Sequence, residues 1–380
     1  MAGVTYKCPN CGSYIAFNPD NQKWKCDFCG SVYDEKTLLA KAAEYQAQAE
    51  AEHAHDEAEH AHDEAGHTHA APDAAAEAQP AAEAQPEAEG GAQVVYHCPS
   101  CGSEIMTDET TVATHCYYCH NPVVLQGKLT ADMKPDDVLP FAVSKDKAIE
   151  RFMQWVEKKR YVPKGFFARE QVRQMQGVYY PHFVTRAVVD GSYEGEGLRS
   201  TVMDQGQYIV TTTEHYAIKR RGKLTFQNVM RPALKSTNRK LSDGIHPFPL
   251  EACKPFSGAY LSGFLAERRD LTAEEATADV EQELDGYVTP LLTQSISYPT
   301  YTGGSTAALK QRDSRYVLLP TWVLTYPKPG EKEPYYYVMN GHTGEVCGKL
   351  PINRGKLRLH GFLLAALCFA VYCVAAYFLF

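Results

Sequence analysis

The sequence predicts an α+β protein built from two small four-cysteine modules, a larger mixed domain and one C-terminal membrane-spanning helix. Three observations carry that prediction. Eight of the 12 cysteines fall in four Cys-x-x-Cys pairs at a repeated spacing, and residues 129–352 mix helical and strand periodicities without regular βαβ alternation. The chain then ends in an uncharged apolar run of 20 residues. The expected segments are 1–36 (first cysteine module), 37–93 (Ala/Glu/His-rich low-complexity linker), 94–128 (second module), 129–352 (α+β domain) and 359–380 (transmembrane helix).

Cys8, Cys11, Cys26 and Cys29 are followed, at a constant offset of 90, by Cys98, Cys101, Cys116 and Cys119. Tyr6/Tyr96, Pro9/Pro99, Gly12/Gly102, Ser13/Ser103 and Ile15/Ile105 repeat with the thiols, so YxCPxCGSxI occurs twice. Two residues between thiols let a tight turn aim both sulfurs at one ion, and a hairpin of 14 residues returns a second such turn. Two structural Zn2+ sites of the zinc-ribbon type are therefore expected; iron and a redox dithiol are the alternatives. A filled four-thiolate shell leaves no position for water or substrate, so the metal is expected to be structural. His97, His115 and His120 adjoin ligand cysteines and are read as neighbours of the site rather than ligands.

Between the modules, EHAHDEA occurs at 52–58 and 59–65, and AEAQP at 76–80 and 82–86. Thr37 to Ala65 is expected to be helical, and the Pro/Gly-bearing remainder to be an extended tether. Residues 37–93 hold 13 acidic residues against Lys41 alone, so the net charge of −8 belongs to this linker and the rest of the chain sums to +4. His53, His55, His60, His62, His67 and His69 form three His-x-His pairs, read as a solvated strip with at most opportunistic metal binding.

In the large domain, Ala148, Ile149, Phe152, Met153 and Val156 mark an amphipathic helix over 144–159 that Ser144 can cap. Runs at 178–189, 207–218, 316–326 and 335–339 read as strands, and Asn340-Gly341 as a tight turn. Leu271 to Leu292 reads as a helix with Thr272 and Glu275 as a capping box. The terminal run Gly361–Phe380 would make roughly 30 Å of helix, one hydrocarbon thickness. Arg354, Lys356 and Arg358 before it place the N-terminal domains in the cytoplasm, with the chain attached to the cytoplasmic membrane by a single C-terminal pass. The start, MAGVTYKCPN, lacks the basic and apolar regions of a secretory signal.

No catalytic or cofactor-binding residue emerges. Glu194 and Glu196 share a strand face without a Walker Lys-Ser/Thr nearby and read as a polar strand end or hairpin. His182, His215 and His246 lack a nucleophile at a diagnostic spacing. Cys253 and Cys347 are expected to be buried, and Cys368 and Cys373 to face lipid or a partner helix. The charge excludes a strongly basic surface: residues 1–36 are neutral and 94–128 carry −2, which argues against nucleic acid, while 129–360 carry 32 basic against 26 acidic residues, a mild excess read first as scattered solvated charge, with contact to an anionic lipid surface as the alternative.

Residues 143–166, the segment PFSGAYLSGFLAERRDLTAEEA (255–276), and RYVLLPTWVLTY with YYYVMNGHTGEVCGKLPI (315–352) resemble bacterial membrane proteins described as transcription factor IIB-type zinc-ribbon-containing, some of which carry a primosomal helicase label. The resemblance covers 1–36 and 94–380; the His/Ala-rich linker departs from it, and no Walker A motif is present. It implies an association with SPFH (flotillin-like), TPM and phage-shock-A-like proteins in membrane stress. The functional expectation is a non-enzymatic membrane-anchored adaptor that docks a protein partner, with no small-molecule substrate; the alternative is a membrane-tethered nucleic-acid-binding zinc-ribbon protein.

Overall fold

The computed structural model describes residues 6–41, 44, 93–98, 104–116, 121–125, 133–163, 172–326 and 335–379. The chain forms two compact units: Met1–Thr130 with Ser257–Ala266, and Ala131–Phe256 with Glu267–Phe380.

In the first unit, strands Ala16–Asn18, Lys23–Lys25 and Val32–Tyr33 form an antiparallel meander. Its first turn is set by short polar side chains: Asp20 N donates to Asn18 Oδ1 (2.9 Å) and Lys23 N to Asn21 Oδ1 (3.1 Å). Phe17 and Trp24 stand opposite each other and both are buried, as the two-residue strand period requires. They close on Ser257–Ala266, a segment more than 200 residues away in the chain. Trp24 Nε1 donates to Ala259 O (2.9 Å), and the Trp24 and Phe17 rings lie 5.1 and 5.3 Å from that of Tyr260. Ser262 Oγ donates to Ile15 O (2.5 Å). Gly263, at φ +93°, passes so close to Ala16 that a Cβ there would stand 3.0 Å from the alanine methyl. Residues 35–41 are helical from a start where Thr37 N donates to Asp34 Oδ1 (2.8 Å); of the helix expected over 37–65, residues 45–65 lie outside the described residues, as does the tether to 92.

The second cysteine module pairs Gln93–His97 with Glu104–Asp108, and Thr111–His115 with Pro122–Val124, both antiparallel. Tyr96, Val123 and Leu125 bury Cys98 and Cys116 in a small cluster.

The second unit is organised by three long strands. Gln176–Asp204 (29 residues) is central, paired antiparallel with Ile209–Pro232 on one side and Thr300–Tyr326 on the other. Their exposure rises steadily outward, so the inner halves form a core sheet and the outer halves an arm wetted on most of its surface. The strands cover the sequence-predicted runs at 178–189, 209–218 and 316–326 but extend well beyond them, after the first two and before the third, while residues 207–208 fall in the turn; ladder pairing continues through Gly- and Ser-bearing stretches of weak intrinsic preference. One such place is the Gly195–Gly303 pair, where the buried Tyr193 side chain lies across both glycines and a Cβ on either would meet its hydroxyl. Helix Val280–Thr293 packs Val280, Leu284, Val288 and Leu292 against Ala187, Val189 and Ile218 of the arm's base. A second cluster gathers Leu139, Val184, Met230, Phe248, Val317, Leu319 and Val338. Buried Arg231 donates through Nε to Asp279 (3.1 Å) and through Nη2 to Glu283, while Arg239 bonds the same two carboxylates.

Several local expectations are corrected. Helix Lys145–Glu157 forms, but Ser144 at its N-cap makes no side-chain capping bond. The Thr272/Glu275 capping box is present, yet it starts only a short helix, Ala273–Ala276. Thr277 Oγ1 donates back to Ala273 O (2.6 Å), Asp279 turns to the arginines, and the helix restarts at Val280. Asn340-Gly341 does not make a two-residue hairpin. Tyr335–Asn340 returns to Val346–Gly348 through residues 341–345, with Asn340 Oδ1 accepting from His342 N and Thr343 N and Gly344 supplying the positive φ. Cys253 and Cys347 are half-buried rather than buried.

The C-terminal helix, Arg354–Leu379, starts earlier than the expected 359 because Asn353 caps it, accepting from Lys356 N at 2.9 Å, while Asn353 N donates to Tyr161 O. It is long and apolar enough to cross a membrane, and none of its apolar stretch is buried in the protein. Phe362, Leu364 and Val371 on it are exposed.

Candidate metal centre

Four thiols meet in the first unit. Cys8, Cys11, Cys26 and Cys29 bring their Sγ atoms within 4.8 Å of one another, with Cys8–Cys29 and Cys11–Cys26 both at 3.6 Å. A tetrahedral Zn2+ with bonds of about 2.3 Å needs sulfurs about 3.8 Å apart, so this cluster has the dimensions of a four-thiolate site.

Two equivalent turns make the cluster. Gly12 N donates to Cys8 O and Gly30 N to Cys26 O, both at 2.9 Å, and the chain closes behind each with Cys8 N to Ser13 O and Cys26 N to Ser31 O. Gly12 and Gly30 occupy the same place after each pair at φ +71° and +75°, a conformation that costs any side-chain-bearing residue. Cys8 and Cys26 are buried and Cys11 and Cys29 exposed, so the cluster sits at the unit's surface with one sulfur of each pair anchored inside. Cys29 Sγ lies 3.2 Å from Ser31 Oγ and the Tyr33 hydroxyl 3.7 Å from Cys8 Sγ. The Ser31 hydroxyl and backbone hold the Cys29 thiol down to about 6, whereas, against the Ser13 backbone, burial and the three neighbouring thiols push Cys11 up to about 12, so one thiolate in the cluster opposes the next until a cation compensates them.

In the second module Cys98 and Cys116 are placed, both buried, and Cys116 N donates to Asn121 O at 2.9 Å, which repeats the Cys26 to Ser31 bond at the offset of 90. Cys101 and Cys119 lie outside the described residues, so only half of that predicted set is on view, and His120 lies outside them as well.

The other candidates disperse. Glu194 and Glu196 do share an exposed face, but in mid-strand rather than at a strand end, with Lys219 (3.7 Å) and Arg221 (3.5 Å) beside Glu194 and His215 2.6 Å from Glu196. Cys368 and Cys373 are exposed on the terminal helix. A partner that the sequence did not signal belongs to His182. Its Nδ1 lies 3.2 Å from Tyr180 O and its Nε2 2.9 Å from Ser242 Oγ, 60 residues on. A carbonyl only accepts, so Nδ1 carries the proton and Nε2 accepts from Ser242. The pair edges a cavity of about 510 Å³ bounded by hydroxyls (Thr237, Thr321, Thr325) and aliphatics (Leu241, Val323, Val338), with no carboxylate, lysine or arginine lining it among the described residues. Burial pushes the imidazole down to about 4, and it is neutral at pH 7.

With this geometry in place, comparison finds similarity to the uncharacterised protein YdjG of Bacillus subtilis strain 168, 27% identical over 363 residues that span 93% of this chain and 92% of that one. No protein-family model and no solved structure matches the chain.

Proposed function

We propose that the chain is a non-enzymatic, membrane-anchored adaptor whose zinc ribbons dock a protein partner. The observation that carries this reading is the closure of the Cys8/Cys11/Cys26/Cys29 cluster. Four thiols converge on one point and leave no ligand position for water or substrate, as a structural Zn2+ requires. A second Zn2+ on Cys98, Cys101, Cys116 and Cys119 follows from the sequence repeat and the repeated turn bond at Cys116. The uncovered apolar helix supports attachment to a bilayer, with the preceding Arg354, Lys356 and Arg358 on the cytoplasmic side. The partner class suggested by the family resemblance is an SPFH-type or phage-shock-A-like membrane-stress protein.

The test is crosslinking copurification of the full chain from native membranes, compared with a Cys8→Ser/Cys11→Ser variant. The adaptor reading expects a protein partner that is lost in the variant while the variant still fractionates with membranes. A partner profile unchanged by the substitutions would overturn it, as would ribbon-dependent recovery of nucleic acid alone.

A further inference from the structure

We propose that the outer edge of the third arm strand, residues 300–309, pairs antiparallel with the same segment of a second copy, making a homodimer with one sheet running through both arms. Along this strand the inward edge is paired with Gln176–Asp204 from Thr300 to Val323, whereas the outward edge is taken at Tyr316 by Asp136, at Val317–Leu318 by Asp137–Val138, and at Thr321–Tyr326 by Tyr335–Asn340. Among the described residues no strand pairs with the outward edge from 300 to 315. Alternate residues of the ten-residue stretch TYTGGSTAAL thus present unpaired backbone donors and acceptors at the outer edge in extended geometry, the situation from which strand addition arises.

The composition of this edge singles out a second copy as occupant. Proteins protect lone edges with lysines, prolines or bulges, and 300–309 carries none of these; the bulge and the first charge come at Leu309/Gln311 and Lys310. A two-fold axis near Ser305 sets Lys310 of each chain opposite Thr300 of the other and small uncharged residues opposite one another between them, so no like charges meet. The other free edge of the arm, on Ile209–Pro232, has Lys219, Arg220, Arg221 and Lys223 together at its middle, where self-pairing would set cations against cations. Only one of the two edges is therefore self-complementary. About ten backbone hydrogen bonds would form across the junction. Shared attachment to one bilayer, where the chain has it, raises the effective concentration of the copies; that contribution rests on the anchor reading above, whereas the pairing geometry does not.

The test uses the full chain in native membranes with a photo-crosslinking phenylalanine analogue at Tyr301, which is exposed beside the edge, and for comparison at Tyr208, at the far end of the other hairpin. The expected product from Tyr301 is a covalent species of twice the chain mass whose crosslinked peptide falls within 298–312. Thr302→Lys with Thr306→Lys places ammonium groups along the pairing line from the exposed face and should cut the yield about tenfold. An unchanged unfolding midpoint for that variant shows that the arm itself is intact. Absence of a chain–chain product from Tyr301, a yield that survives the lysines, or equal yield from Tyr208 would each overturn the proposal. Membrane flotation of the same samples scores the anchor separately, so failure of the anchor and failure of the edge give different results.

Discussion

His182 supplies a pH dependence that can be worked from the structure. The imidazole is buried on the central strand, its two nitrogens are committed to Tyr180 O and Ser242 Oγ, and among the described residues no carboxylate lines the adjoining cavity to compensate a positive charge. Burial lowers its pKa from 6.5 in the unfolded chain to about 4. Between those values the unfolded state binds the extra proton, so stability is fully present above pH 6.5 and falls as the pH drops toward 4. A displacement of that size corresponds to about 3 kcal/mol lost by pH 4, at 1.36 kcal/mol per pH unit. His182→Gln keeps an amide that can donate to Tyr180 O and accept from Ser242, so it should cost about 1 kcal/mol at neutral pH and remove the pH-dependent part. The assay is urea unfolding of the full chain in detergent at pH 7 and pH 4.5, read by hydrogen-exchange pulse labelling of peptides within 176–190 and 316–326. The wild type should lose about 2.4 kcal/mol more than the variant over that interval. Equal losses in both would refute the assignment of a neutral, desolvated histidine.

Three further outcomes follow from the geometry. Cys8→Ser with Cys11→Ser should abolish exchange protection over residues 14–33 and leave that of the long strands unchanged, with bound zinc measured by mass spectrometry falling by one ion per chain, whereas chelation should remove two. Trp24→Ala deletes the ring that donates to Ala259 and packs on Phe17 and Tyr260; a cost of about 3 kcal/mol to the first unit is expected, seen as faster exchange over 257–266. Arg231→Ala leaves Asp279 and Glu283 facing each other with only Arg239, and should destabilise the second unit by about 3 kcal/mol, measured by denaturant unfolding at low and high salt.

By itself the sequence determined the parts whose physics is local. The Cys-x-x-Cys spacing, with glycine directly after each pair, encodes the two turns that aim four sulfurs at one point, because a tight turn needs only its own residues and a positive φ. The helix at 145–157, the Thr272/Glu275 box and the terminal apolar helix were legible for the same reason, through periodicity, a reciprocal cap and length. Tertiary structure decided what distant segments settle together. Nothing near Trp24 announces that its indole will find Ala259, and nothing in TYTGGSTAAL marks a strand until Gln176–Asp204 supplies a ladder for it. Ser144 has the chemistry of a cap and does not cap, and the helix expected through 292 breaks at Thr277–Asp279, where a back-bonded hydroxyl and the arginines offer more than continued helix. The His182–Ser242 contact belongs with these. Its two residues are unremarkable in the chain, and they gain a shared chemistry only when strand pairing and core packing bring a serine from 60 positions away against a desolvated ring.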